Sequence, residues 1–327
     1  MSKPTVAVVI PNWDGEDFLK KCLDSLLAQS YKATIVVVEN GSIDSSHEIL
    51  AGYGSKLVVL KQPKNLGFAG GVNVGIRYAI DNGFDYVALF NNDAVADKRW
   101  LEELVGTAEK DKKIGAVTCK FMRLDKKHLD STGDFYTHHG LPFPRGRNEV
   151  DTGQYDDKQD IFAASGGATI FSAKMFKQIG LFDEDFFAYY EDVDLGFRMQ
   201  LTSWKVRYCP AAIAYHHVSG TGGKLSGFGI YQTATNFWYT YVINMPSWLF
   251  WKYLPLALYW YARMFVGRFV HGDLVPYVKG FFRALWNAPK TLAKRRKVQK
   301  MRTAPVEYID SIIVHAKAPR PPQLPLG

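Results

Sequence analysis

Three apolar runs near the start of the chain each stop at a cluster of amides and acids. TVAVVI (residues 5–10) leads into Pro11-Asn12-Trp13-Asp14, TIVVV (34–38) into Glu39-Asn40-Gly41-Ser42, and YVALF (86–90) into Asn91-Asn92-Asp93. Runs that are apolar throughout, rather than alternating, belong to strands covered on both faces. Helical patterns separate them. Glu16 to Gln29 places Phe18, Leu19, Cys22, Leu23, Leu26 and Leu27 on one face, Asp44 can cap a helix through Leu50, and Ala69 to Ile80 and Trp100 to Lys110 also read as helices. Leu57 to Leu60 and Ile114 to Thr118 add two strands. This alternation predicts an α/β fold with a mostly parallel central sheet. In such a sheet the polar clusters share the carboxyl edge, where ligands bind. Asn and Asp also make turns unaided, so Asn91-Asn92-Asp93 fits a turn or a site.

Several function classes are excluded early. No GxGxxG follows the first strand and no GxxxxGK[ST] occurs, which argues against a dinucleotide enzyme or a P-loop NTPase. The glycines lie instead in NLGFAGGVNVGI, residues 65–76. Gly67, Gly70 and Gly71 either let a helix sit close to the sheet or let the backbone approach a phosphate or sugar, with Asn73 supplying an amide. Cys22, Cys119 and Cys209 form no CxxC, so neither zinc nor a disulfide framework is expected, and a reducing compartment fits. The N-terminus MSKPTVAVVIPNWDGE reaches a charge too soon for a signal peptide and is expected to enter the first strand directly. Of the net charge of +8, seven units fall in residues 290–302, KTLAKRRKVQKMR. The basicity is therefore expected to be a tail, and nucleic acid is not an expected partner.

Residues 121–160 are polar with Gly and Pro and read as a long excursion containing a hairpin. A strand at Ala168 to Phe171 follows the small-residue run ASGG, and a helix is expected from Glu191 to Ser203. Its first-turn acids Glu191 and Asp192 suit the helix dipole, worth about 0.3–1 kcal/mol. Asp194 and Arg198, four apart, are expected to pair on the helix surface. Asp192 follows Phe186, Phe187, Tyr189 and Tyr190. A carboxylate among rings has a tuned pKa, as a general base requires. His216 and His217 end another short strand; either is a structural histidine or completes, with Asp93 and diphosphate oxygens, a site for Mg²⁺ or Mn²⁺.

Together VAVVIPNWDGEDFLKKCLDSLLAQSY, IVVVENGSIDSS, NLGFAGGVNVGI, VALFNNDAV, GGATIFSAKMFKQIGLFDEDFFAYYEDVDLGFR and the histidine pair resemble glycosyltransferase family 2, inverting enzymes of the GT-A fold. The likeness covers residues 5–221 in the family's order and is greatest to the rhamnosyltransferase-like branch. It implies a catalytic domain over residues 1–235, with a nucleotide-binding half (1–118) and an acceptor and metal half (119–235). By that resemblance Pro11, Asn12, Glu39 and Asn40 cradle the nucleoside, and Asn65, Gly70, Asn73, Asn91 and Asn92 also lie on the donor side. Asp93 and His216 would hold the metal, Asp192 would be the base, and Glu191 and Tyr190 would flank the acceptor. Two positions depart from the family pattern: Glu39 stands where Asp is usual, and Asn91 replaces the first acid of DxD. The implied activity is sugar transfer from a nucleotide donor, dTDP-L-rhamnose first and a UDP-sugar as alternative, to a glycan or polyprenyl-linked acceptor for cell-surface polysaccharide. A non-catalytic carbohydrate-binding protein is the rival outside enzymes. A nucleotidyltransferase would need a basic glycine-rich loop that IPNWDGED lacks.

Residues 236–302 form an aromatic-rich appendage, expected to be helical. Its charge-free stretch between Lys252 and Arg263 is ten residues, too short to span a bilayer. Interfacial helices are expected, with Lys252, Arg263 and Arg268 snorkelling and the basic run facing anionic lipid. This implies a peripheral protein on the cytoplasmic face of the membrane. The alternative is a helical subdomain packed on the catalytic core or in a homodimer interface. Residues 303–327, ending APRPPQLPLG, are expected to be largely unstructured.

Overall fold

The computed structural model describes residues 3–217 and 227–315. Its strands are β1 (Val6–Asn12), β2 (Thr34–Glu39), β3 (Leu57–Lys61), β4 (Tyr86–Phe90), β5 (Ala94–Ala96), β6 (Ile114–Arg123), β7 (Leu129–Ser131), β8 (Asp134–Tyr136), β9 (Pro142–Pro144), β10 (Ala168–Ser172) and β11 (Lys205–His216). Nine of them form the central sheet, in the order β3-β2-β1-β4-β10-β6-β11-β5 with β7 paired to β6, while β8 and β9 make a separate hairpin. β1 lies between parallel partners, and its register sets Asn12 opposite Glu39 at the carboxyl edge. Val6, Val8 and Ile10 face one apolar layer with α1 (Glu16–Leu27) and α4 (Trp100–Ala108), which also takes in Leu50 of α2 (Ser46–Ala51). Ala7 and Val9 face the other, under α3 (Gly67–Asp81). Period-two alternation thus feeds two cores from one strand. A methyl group at Gly75 would overlap the Val9 side chain, so this glycine sets how closely α3 approaches the sheet.

The second half departs from a purely parallel plan. β10 inserts antiparallel between β4 and β6 and leads into α5 (Ala173–Ile179). β6 continues past the expected stop at Thr118 because β11 accompanies it, through a register shift between Cys209 and Ile213 that accommodates Pro210. The short β5, which periodicity does not reveal, pairs antiparallel with the end of β11, opposing Ala94 to His216. That pairing lays the Asn91-Asn92-Asp93 turn beside the histidine.

Four expectations for the C-terminal region are corrected. Helix α7 (Phe228–Asn244) crosses the expected boundary at residue 235 and buries Phe237 and Tyr241 in a core shared with α6 (Glu191–Leu201). The appendage therefore packs partly on the catalytic half. The basic run is no free tail but helix α10 (Ala288–Met301). Lys290 pairs with Asp185 at 2.6 Å, Lys294 with Asp183 and Asp185, and Arg295 donates to the Val242 and Met245 carbonyls at 2.6 Å, capping α7. Residues 303–315 are structured as well: Thr303 and Ala304 donate to the Leu201 carbonyl, and α11 (Val306–Ile312) buries Ile309. The proline-rich end, 316–327, lies outside the described residues. Finally, Asp194 and Arg198 are buried rather than on the helix surface. Between α7 and α10 run α8 (Ser247–Val270) and α9 (Leu274–Trp286), which expose Trp248, Trp251, Tyr259, Phe269, Phe282 and Trp286. None of the described helices is long and apolar enough to cross a membrane.

Candidate active site

The first two polar clusters are tied to each other. Asn12 Nδ2 donates to Glu39 Oε2 at 2.8 Å, the Ser42 amide donates to Glu39 Oε1 at 2.8 Å, and Asn92 Nδ2 donates to Asn12 Oδ1 at 2.9 Å. Glu39 is fully buried, so the longer side chain is absorbed by these bonds, which fix the loops after β1, β2 and β4 in one frame. A side chain at Gly15 would overlap the Asn12–Asn92 pair. Asn40 accepts from the Leu66 amide at 3.0 Å and donates to Asn65 Oδ1 at 3.2 Å and the Gly67 carbonyl at 3.1 Å, anchoring the start of α3. Pro11 is half-buried beside them.

Two donor-side expectations change here. Asn73 is buried and its amide is committed: Nδ2 donates to the Phe182 carbonyl at 2.8 Å and Glu184 Oε1 at 3.0 Å, and Oδ1 accepts from the Phe182 amide at 3.1 Å. It joins α3 to the turn before α6 and has no amide left for a donor. A Cβ on Gly70 would meet Leu66, just before the same helix, at 2.8 Å. The glycine that faces the loops is Gly71, whose Cβ would lie 3.0 Å from Asn40 Nδ2 and 3.6 Å from Pro11.

The third cluster meets β11. Asp93 Oδ1 lies 3.3 Å from His216 Nε2, and Asn91 Nδ2 lies 3.5 Å from the same nitrogen. His216 Nδ1 lies 2.8 Å from Asp130 Oδ2, and the ring stacks on Phe121 with centroids 4.6 Å apart. Burial opposes charge on this imidazole, but its hydrogen bonds to Asp130 and Asp93 and their charges prevail and push its pKa up to about 9. The two histidines are thereby distinguished. His217 is exposed, with its ring 4.6 Å from that of Phe18, while His216 faces Asp93. Among the described residues no three His, Cys, Asp or Glu side chains converge as a metal cage. One carboxylate and one imidazole 3.3 Å apart nevertheless fit an edge of a Mg²⁺ or Mn²⁺ coordination sphere completed by phosphate and water oxygens.

The segment leading into α6 is strained. Phe187, Tyr189 and Tyr190 all have positive φ (61°, 68° and 72°), a region that aromatic residues rarely occupy. Asn236 on α7 holds them there, with Nδ2 donating to the carbonyls of Phe186, Ala188 and Tyr189 at 2.7–2.9 Å. Immediately after this loop, Asp192 Oδ1 accepts from the Val193 amide at 2.8 Å. Burial pushes its pKa up to about 6, against hydrogen bonds from Val193 and Gly166. Glu191 is buried and held well above the usual carboxylate range by burial, then by the charge of Asp192. Tyr190 packs against the C-terminal aromatic core, whereas Tyr189 is the more open ring of the loop. The loop before β10 meets the third cluster, the Gly167 carbonyl accepting from the Asn91 amide at 2.8 Å.

A hydrogen-bonded frame of loops and an Asp–His edge share the carboxyl edge of the sheet, and α6 supplies a carboxylate poised near neutrality; the comparison with known families agrees. The model of the family described as "Glycosyltransferase like family 2" matches residues 4–246. The chain belongs to this family. Its architecture is that of GT-A glycosyltransferases. A mannosyltransferase from Pyrobaculum calidifontis, solved with GDP-Man and Mn²⁺, superposes with a TM-score of 0.54 at 16% identity, covering 95% of this chain and 86% of that one. Among curated relatives, an uncharacterized glycosyltransferase of Rickettsia typhi is 27% identical over 203 residues, 60% of this chain and 58% of its own length. The O-antigen biosynthesis protein RfbC of Myxococcus xanthus is 26% identical over 228 residues, 67% of this chain and 18% of its own length. The chain thus spans less than two thirds of either relative.

Within this family 2 chain, several residues of the site escape sequence reading. Asp130, Asp134 and Asn236 come from segments with no motif and reach the site only through the fold. Asp134 is buried in the β8 hairpin and held well above the usual range by burial and by the charge of Asp192. Gly71, by contrast, is one of the glycines that the run NLGFAGGVNVGI puts forward.

Proposed function

We propose that this chain is an inverting, metal-dependent glycosyltransferase that moves a sugar from a nucleoside-diphosphate donor to a hydroxyl of a glycan or polyprenyl-linked acceptor in cell-surface polysaccharide synthesis. The observation that carries the reading is the Asp93–His216 edge, 3.3 Å across, beside the hydrogen-bonded loops that end β1, β2 and β4. Asp192 takes the proton from the acceptor hydroxyl, the oxygen attacks the anomeric carbon, and the bond from that carbon to the diphosphate breaks. A single displacement inverts the configuration. Asp93 and His216 would hold a Mg²⁺ or Mn²⁺ ion, whose chemistry there is Lewis-acid stabilisation of the departing diphosphate. The ligands bound to solved proteins of the same fold, such as GDP-Man with Mn²⁺, support a nucleotide-sugar donor. The likeness to the rhamnosyltransferase-like branch favours dTDP-L-rhamnose, with a UDP-sugar as alternative, and the O-antigen relative supports a polysaccharide product.

The test is a thermal-shift and turnover screen of nucleotide sugars with and without Mn²⁺, since a native-state ligand raises stability with the logarithm of its concentration above Kd. Stabilisation by one donor only with metal, and a product of inverted anomeric configuration by NMR, is the expected result. No stabilisation by any donor would leave a carbohydrate-binding role. Asp93→Ala should weaken nucleoside-diphosphate binding in Mn²⁺ by at least about tenfold and leave binding in EDTA unchanged, read by calorimetry. Equal losses in both would make Asp93 a turn residue.

The exposed rings of α8 and α9 favour peripheral attachment to a membrane over free solution, and on this reading the cytoplasmic face is the one it meets. Because Lys294 and Arg295 are committed to the fold, the lipid-facing charge on α10 is Arg296, Lys297 and Lys300, which are at least partly exposed. Neutralising these three should weaken flotation with anionic liposomes and reduce its salt dependence, each basic residue being worth about 1 kcal/mol near the surface. A concentration-dependent dimer without liposome binding would instead assign the aromatic face to a second copy.

A further inference from the structure

The excursion between β6 and β10 supplies a residue to which sequence reading assigns nothing. Asp130, on β7, is buried, and its Oδ2 lies 2.8 Å from His216 Nδ1. Its Oδ1 lies 3.3 Å from Arg147 Nη2, the only ion-pair partner of that oxygen among the described residues. Phe121 stacks on the imidazole at an interplanar angle of 15°, so the ring cannot tilt without losing that contact, and a half-turn flip would lose the Asp130 bond. The opposite nitrogen, Nε2, faces Asp93 at 3.3 Å.

The geometry points to Asp130 as the positioning residue of the cation site, with Arg147 holding Asp130 in turn. Resting on the metal reading above, this goes beyond it by naming what makes His216 a ligand. With the Nδ1 proton donated to Asp130, a cation that displaces the Nε2 proton would meet the imidazole lone pair on Nε2, beside Asp93. A carboxylate on the far nitrogen also raises the basicity of the ligating one, and such partners are typically worth about 10–100-fold in metal affinity. The arrangement suits this site in particular. With Asn91 in place of a carboxylate, the protein contributes one anionic and one neutral donor, so the orientation and basicity of the imidazole carry a larger share of the affinity. The 121–160 excursion thereby acquires a role, since β7 brings Asp130 to one side of His216 and the loop after β9 brings Arg147 within 3.3 Å of Asp130.

The experiment measures Mn²⁺ affinity by the EPR signal of the free ion, using Mn²⁺ with UDP and, separately, with dTDP. Asp130→Ala should weaken Mn²⁺ binding in the nucleotide complex by about 10–100-fold, approaching the loss in His216→Ala, while nucleotide binding in EDTA stays as in the wild type. Asp130→Asn keeps an acceptor for Nδ1–H and should recover much of that loss; Arg147→Ala should show a smaller loss in the same direction. With Mg²⁺ and UDP, ¹⁵N spectra should show His216 protonated at Nδ1 in the wild type and in Asp130→Asn, and should lose that single tautomer in Asp130→Ala. If Asp130 served only stability, folded Asp130→Ala would keep the wild-type signature. If His216→Ala loses Mn²⁺ affinity but Asp130→Ala does not, or if Asp130→Ala loses nucleotide equally in EDTA, the positioning role is wrong while the metal site stands. If the wild type recruits no Mn²⁺ with either nucleotide, both fall. Should Asp130→Ala fail to fold, the Arg147→Ala titration decides the matter: weaker Mn²⁺ binding with nucleotide binding in EDTA unchanged supports the role, and unchanged Mn²⁺ binding overturns it.

Discussion

Asp192→Asn is expected to lower kcat by roughly 10²–10⁴, the range that general-base catalysis supplies, with donor affinity nearly unchanged. The same substitution should raise the melting temperature at pH 8. Burial pushes the Asp192 pKa up to about 6 in the folded chain, against about 3.9 for an unperturbed aspartate. Below about pH 4 the carboxyl is protonated in both states and exerts no penalty. Between those values folding takes up a proton, so stability falls as pH rises, and above about 6 the penalty is complete. At 1.36 kcal/mol per unit the gain from removing the charge is on the order of 2–3 kcal/mol at pH 8, vanishing near pH 4. Wild-type kcat should rise with pH through about 6 and then level, as Asp192 becomes the carboxylate. A variant that loses activity and stability together would return Asp192 to the role of a first-turn helix acid. One that keeps wild-type turnover would pass the base assignment to another carboxylate.

This coupling of lost activity to gained stability is what a base built by burial must show, and its origin was partly legible in the chain. The central strands could be read because their residues are covered on both faces, which leaves an unbroken apolar run in β1, β2 and β4. The polar clusters that end those strands could be placed on one edge for the same reason. Asp192 was visible as a carboxylate among rings, and Asp93 and His216 as ligand types at strand ends. What holds them was not visible. Asp130 is 86 residues from His216 and sits in a segment without periodicity. Asn236 lies 47–50 residues beyond the carbonyls it clamps. Local pattern carries no information about such pairings, which exist only once β7 and α7 are docked.

The basic run teaches a related lesson. Charge density in KTLAKRRKVQKMR suggests a solvated arm, yet α10 alternates committed and exposed cations by helical period. Lys290, Lys294 and Arg295 face the catalytic half, and Arg296, Lys297 and Lys300 face outward. The deciding partners are Asp183 and Asp185, more than a hundred residues upstream in the turn before the strained loop. Through them the appendage braces the segment that delivers Asp192.

Arg198→Met should be the most destabilising single change in α6, by about 3–5 kcal/mol, the cost of leaving a buried charge without its partner. Spacing alone suggests an exposed i,i+4 pair worth about 0.2–0.5 kcal/mol. The structure gives a different reason for the pair. The Asp194 and Arg198 side chains are 2% and 7% exposed, Arg198 Nη2 lies 2.8 Å from Asp194 Oδ2, and Nη1 donates to the Ile179 carbonyl at 3.0 Å. Asn244, at the end of α7, donates to Asp194 Oδ1 at 2.7 Å. The pair thus joins α6, the end of α5 and α7, and its charges have no water to retreat to. Urea unfolding should show the loss as a shifted midpoint at unchanged slope. Asp194→Leu combined with Arg198→Met should recover much of the loss, because replacing both charges by apolar groups removes the desolvation penalty with the attraction. If the double variant were as unstable as the sum of its parts, the two charges would not be acting on each other. If Arg198→Met lost less than about 1 kcal/mol, the network would behave as a surface pair.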